Sequence, residues 1–169
     1  MRKLIILKSL VDFIWIVSCI PLIGLSLFFL VYMFINPNSI DLVFEGITKD
    51  SETPNYTKQL FGIVYIGIGL ISIYCLFIFR KTLRYFQQVK PFHTNVINNF
   101  YKIGYLLIIV GTAGTVVTFI SRLLFKEEFK ISFGLTPHFI LICLGLFFMV
   151  LSEVFKVAKY AKEENDLTI

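Results

Sequence analysis

Charge is the scarcest property of this sequence. Only 16% of its 169 residues are Asp, Glu, Lys or Arg, where a soluble domain carries about 25%. Apolar residues make up 57%, with 19 Phe and 8 Tyr, and the mean hydropathy is +0.80. So apolar a chain is not disordered, and it has too few polar residues to cover a soluble core of this size. Cysteine is also scarce. Cys19, Cys75 and Cys143 each stand alone inside an apolar run, with no C-x-x-C. That excludes a disulfide-stapled secreted domain and a quinone-linked thiol oxidoreductase; a lone buried Cys packs as a small apolar residue. The two histidines, His93 and His138, have no carboxylate or Cys at a metal-ligand spacing, and H-E-x-x-H is absent. The middles of the apolar runs carry no charge, which argues against a proton-coupled exporter and an intramembrane protease. With no nucleophile–base set and no cofactor or metal motif, the sequence reads as that of a non-enzyme.

What the chain has instead is four long apolar runs. They extend from about Leu10 to Ile35, Leu60 to Phe79, Ile103 to Phe125 and Phe133 to Val157. Crossing about 30 Å of hydrocarbon takes about 20 residues of helix. None of the runs alternates with the period of a barrel strand, and a helix satisfies its own backbone in lipid. The predicted fold is an all-α integral membrane four-helix bundle, one membrane domain spanning 1–169. The start imitates a signal peptide: Arg2, Lys3 and Lys8 precede an apolar stretch, and Ile16-Val17-Ser18-Cys19 resembles a lipoprotein processing box. The run nevertheless continues to Ile35, beyond a typical signal h-region, and Asp12 interrupts its beginning. A retained first span is the expectation.

Lys and Arg counts set the orientation. Eleven fall on one side, in the N-terminal stretch, the 80–102 segment and the end of the fourth run. Four (Lys49, Lys58, Lys126 and Lys130) fall on the other. This predicts both termini inside (N-in/C-in) for a multi-pass protein of the bacterial cytoplasmic (inner) membrane. The net charge of +5 is then an anchor at the membrane surface rather than a nucleic-acid-binding face. The outer loop, 36–59, is acidic (Asp41, Glu45, Asp50, Glu52), with a short helix expected near 40–46 and a glycosylation sequon at Asn55-Tyr56-Thr57. A short second outer loop covers 126–136.

Small residues mark packing faces. Gly104, Gly111, Thr115, Thr118 and Arg122 share one helical stripe, and Gly62, Gly69 and Ser72 share another. Such stripes let membrane helices approach closely, so spans two and three are the expected close pair, with a homodimer as another use of a stripe. Pro21 with Gly24 should kink the first span. Charges sit near the ends of the runs: Asp12 and Glu153 can pair with Arg80 and Lys156, and Arg122 with Glu127 and Glu128. Pro21, Arg122 and His138 form a candidate pocket, which would suit a small transporter or a lipid- or small-molecule-binding protein.

The 80–102 segment holds five cations and no acid, interleaved with Leu83, Tyr85, Phe86, Val89 and Phe92. It can hold anionic head groups or dock a protein. Pro91 should end one helix and Thr94 or Asn95 cap the next. After residue 157, a tail, 158–169, runs from Lys159 and Lys162 to Glu163-Glu164-Asn165-Asp166-Leu167-Thr168-Ile169. The candidate partner-binding residues are therefore Arg80, Arg84, Lys90, Phe92, Asn95, Glu163, Glu164 and Asp166.

Pro91-Phe92, then Asn95-Val96 and Lys102-Ile103-Gly104, together with the 163–169 terminus, resemble a bacterial four-helix family catalogued as domain of unknown function 2975. Where that family's pattern is basic ahead of Ile103-Gly104, this chain has Asn98, Asn99, Phe100 and Tyr101. The resemblance implies no catalytic residues. It does imply a partnership with a small Cro/C1-type helix-turn-helix regulator. The expected function is a non-enzymatic interaction or signalling role.

Overall fold

A computed structural model describes residues 2–36, 54–88, 91–126 and 136–166. The outer loops expected at 36–59 and 126–136, Lys90 and the terminal 167–169 fall wholly or largely outside these. Helix α1 (Arg2–Ile14) runs through a π turn (Trp15–Cys19) into α2 (Ile20–Ile35), and these form the first span. The others are α3 (Asn55–Gln87), α4 (Thr94–Lys126) and α5 (Pro137–Asp166). No strand occurs among the described residues. All four units are long and apolar enough to cross a membrane.

Pairings along the helices establish an up-down-up-down order. Asp12 meets Arg80, and the Met33 carbonyl accepts a bond from Gln59 Nε2 at 3.3 Å. Asn99 Nδ2 donates to Thr82 Oγ1 at 3.0 Å, and Tyr65 lies by Thr118. Ser152 Oγ donates to the Ile97 carbonyl at 2.8 Å, and Gly111 meets His138 and Ile142. Each helix is thus antiparallel to the one before it. We call the end holding Arg2, Gln87, Thr94 and Asp166 proximal and the other distal.

The closest pair is α4 with α5, not spans two and three. A Cβ on Gly104 would stand 2.6 Å from the Gly145 carbonyl oxygen, and a Cβ on Gly145 2.7 Å from that of Gly104. The smooth face of the third span was legible, but its partner is the fourth, which brings its own small residues, Gly145 and Ser152, to the seam. In membranes such contacts supply the packing that lipid cannot drive by the hydrophobic effect. Gly62 is buried on α3, whereas Gly69 is exposed with open space where a Cβ would stand. Thr115 is also exposed and bonds back to its own Gly111 carbonyl.

At the proximal half, Cys75, Ile78, Val96, Phe100, Ile103 and Leu107 form a buried core. α3 and α5 meet there through rings rather than close backbone approach. Phe79 lies 6.0 Å from Phe148, and Phe86 lies 5.7 Å from Phe155, both edge-on. The first span packs along α3 and its backbone approaches no other element among the described residues. Met33, Phe61 and Phe29 fasten its distal end. Pro21, the residue expected to kink it, stands two residues past the π turn. Val17, whose carbonyl would pair with the N–H that Pro21 lacks, lies inside the π turn, and helical dihedrals continue on both sides of that turn.

Candidate functional site

The apolar runs end well before the helices do. At 1.5 Å per residue, the 33-residue α3 and α4 are each about 50 Å long, against about 30 Å of hydrocarbon. Much of the 80–102 segment, expected to be cytoplasmic, is therefore helical: α3 runs to Gln87 and α4 starts at Thr94, just after a turn at Pro91-Phe92. Pro91 disfavours helix at the residue before it, and α3 ends at Gln87. α4 then starts under a cap that differs from the two expected. His93 Nδ1 accepts the Asn95 backbone N–H at 3.1 Å, and its carbonyl takes the Val96 N–H at 2.8 Å. Tyr85 holds that cap, its ring stacked on His93 at 5.2 Å and its hydroxyl accepting from Asn95 Nδ2 at 2.9 Å.

α5 docks on this turn. Phe155 touches Phe86, Phe100 and Phe92, so the turn's own aromatic is fastened to the bundle core. One turn further, Lys159 Nζ donates to Thr94 Oγ1 at 3.0 Å and lies 3.6 Å from Glu163 Oε1. The result is an open groove of about 320 Å³, lined by Pro91, Phe92, His93, Lys159, Lys162, Glu163 and Asp166. Pro91 and Phe92 give it apolar surface, and its lysines and acids give it both signs of charge. Through Asp166 the tail continues α5 as one wall of the groove.

Of the eight candidate partner-binding residues, Phe92, Glu163 and Asp166 line this groove. Glu164 is exposed on the same final turns, and Asn95 sits beside the cap. Arg84 is exposed on the last turn of α3, and Lys90 lies outside the described residues. Arg80 is a correction. Its side chain is half-buried, paired with Asp12 through Nε and stacked 5.0 Å over Trp15, so it fastens the first span instead of facing a partner.

A family model described as "Protein of unknown function (DUF2975)" matches residues 45–169. The chain belongs to the DUF2975 family. In this DUF2975 protein the match takes in α3, α4, α5 and the whole proximal groove, while the first span precedes it. No curated protein and no solved structure matches the chain.

The distal residues of the DUF2975 chain do not form the expected three-part pocket. Thr118 Oγ1 lies 3.2 Å from His138 Nε2 and 3.5 Å from the Tyr65 hydroxyl, a polar link across α3, α4 and α5. The His138 ring is seated directly on Gly114, where a side chain would collide with it. Arg122 follows one turn beyond Thr118, half-buried. Pro21 is exposed in mid-span on a helix that packs on α3, far from both. Sequence reasoning missed Gly114, Gly145, His93 as a cap and Phe155 as an aromatic hub. Gly145 and Ser152, seven residues apart, were the available signal for the fourth helix's seam.

Proposed function

We propose that this protein is a non-enzymatic multi-pass protein of the bacterial cytoplasmic membrane, and that it holds a cytoplasmic protein at its proximal groove. One observation carries the reading. Residues some 70 apart in sequence, Pro91-Phe92-His93 on one side and Glu163 and Asp166 on the other, line the same groove. These are also stretches on which the resemblance to the family rested. The partner suggested by that resemblance is a small Cro/C1-type helix-turn-helix regulator, held without direct contact between this chain and nucleic acid. The excess of Lys and Arg at the proximal end supports a cytoplasmic position for the groove. Lysines on the rim suit an acidic patch, Glu163 and Asp166 a basic one, and Phe92 supplies the aromatic anchor common at interaction hot spots.

The alternative, a transporter or small-molecule-binding protein with a site among Pro21, Arg122 and His138, has less support, because Pro21 lies apart from the other two. The test is co-expression of the full chain with a regulator from the same genomic neighbourhood, followed by purification from membranes. A complex is expected. Its yield should fall about tenfold or more in Phe92→Ala and in the exposed-site double variant Glu163→Lys/Asp166→Lys. Retention of the regulator by both variants contradicts the proposal.

A further inference from the structure

The proximal groove holds a side chain whose hydrogen bonding depends on a proton. His93 is the residue that starts α4. Its carbonyl accepts the Val96 N–H at 2.8 Å, and its Nδ1 accepts the Asn95 N–H at 3.1 Å. A backbone N–H can only donate. Nδ1 therefore carries no proton in this structure, and the neutral ring bears its own on Nε2. Serine, threonine, asparagine and aspartate are the usual caps, and each keeps an acceptor oxygen at neutral and mildly acidic pH. Imidazole is different, because it ordinarily changes charge between about pH 8 and pH 5. Once charged, it offers N–H from both nitrogens and accepts nothing. The Asn95 N–H then faces another donor, and a positive charge stands at a helix N-terminus, where the macrodipole opposes it.

The surroundings decide where the charged ring turns. On α3, Tyr85 stacks on it at 5.2 Å, centre to centre. An aromatic face accepts a neutral ring or a cation, so this contact tolerates the change. From α5, Lys159, Lys162, Glu163 and Asp166 line the same groove. The lysines repel a charged ring, and Lys159 is already engaged with Thr94 Oγ1 and Glu163. The two carboxylates accept from it, and each has several acceptor sites. His93 is exposed, which leaves the ring room to turn.

We propose that His93 is a proton-operated latch on this groove. Neutral, it caps α4 and leaves Glu163 and Asp166 to a partner. Protonated, it releases the Asn95 N–H, turns Nδ1–H toward Glu163 and Asp166, and neutralises the acidic wall. Acidification on the proximal side thereby weakens the hold on a basic patch of a partner. That last consequence rests on the partner reading above; the latch itself does not.

The latch is tested on the full chain in detergent with no partner present. NMR follows exchange of the Asn95 and Val96 amides at about pH 7.5 and pH 5.5, within the range where imidazole changes charge, corrected for the intrinsic effect of pH. Their protection should fall about fivefold on acidification, the usual worth of one cap. His93→Asn supplies a cap oxygen that does not titrate, so its protection should hold at both values. Glu163→Gln/Asp166→Asn leaves the released ring no carboxylate, and its fall should be smaller than in the native chain. No fall in the native chain, or an equal fall in all three, overturns the latch. A second arm reads the ratio of regulator captured at the two pH values. Capture should drop about fivefold in the native chain and should not drop so in His93→Asn; the same ratio in both overturns control of the groove by His93. Absence of captured regulator at either pH contradicts the partner reading alone, and the exchange arm decides the latch.

Discussion

At Gly104 and Gly145 two helix backbones stand so close that neither position has room for a methyl group. The cost of adding one is direct. Gly145→Val should lower stability by about 1–3 kcal/mol, the usual range for overpacking, measured as thermal unfolding in detergent. Gly69→Ala is the matched control: its site is open, so the change should be neutral or stabilising by up to about 1 kcal/mol, as alanine is the better helix former. The contrast shows what single residues reveal in a sequence. A stripe of small residues says that a face is smooth; it does not say which neighbour lies on it. Gly104 and Gly111 were legible as packing residues for that reason, while their partners on α5 were not. His93 gives the same lesson at a helix start. Its ring acts as the cap because Tyr85 fixes it from the preceding helix, a contact that local preference cannot encode.

Among the elements, the first span is the least embedded. Its proximal attachment is the Asp12–Arg80 pair with Trp15 beside it, and its distal attachment is Met33 against Phe61. Trp15 also lies 6.1 Å from Phe77, centre to centre. Asp12→Ala removes the counter-ion from the half-buried Arg80. Hydrogen exchange along α1 and the π turn should then accelerate about tenfold or more, in line with the loss of one charge-assisted bond. Exchange in the α4–α5 pair should stay unchanged. Equal acceleration in both would show that the first span is integral to the bundle. The number and rough extent of the spans were legible because about 20 apolar residues in lipid leave few alternatives to a helix. The extensions beyond the apolar runs were legible in outline, from Leu83 and Phe86 three apart after Phe79 and from Pro91 as a stop; the docking of Phe155 and Lys159 on them was not, because it depends on tertiary contacts. Pro21 reads in the sequence as a perturbation of the first span, and a π turn, Trp15–Cys19, stands two residues before it.

For the molecule as a whole, composition separates the two ends. Chemistry in the helix interiors is sparse, limited to links such as Tyr65–Thr118–His138, while the proximal end concentrates charge, exposed rings and a groove. The sequence suggested that end as the place to look, and it supplied Phe92, Glu163 and Asp166 as participants. It could not show that the 91–93 turn and the tail share one cleft, since that depends on the antiparallel register of α4 and α5. Arg80 read two ways in the sequence, as a partner-binding cation and as a counter-ion for Asp12, and the structure shows the second. The most direct test of the proposed role is site-specific photo-crosslinking in intact cells, with the cross-linker at Lys162 in the groove and, separately, at Leu123 near the distal end. The account predicts an adduct with the helix-turn-helix regulator from position 162 and none from position 123; no adduct from position 162, or equal adducts from both, would contradict it.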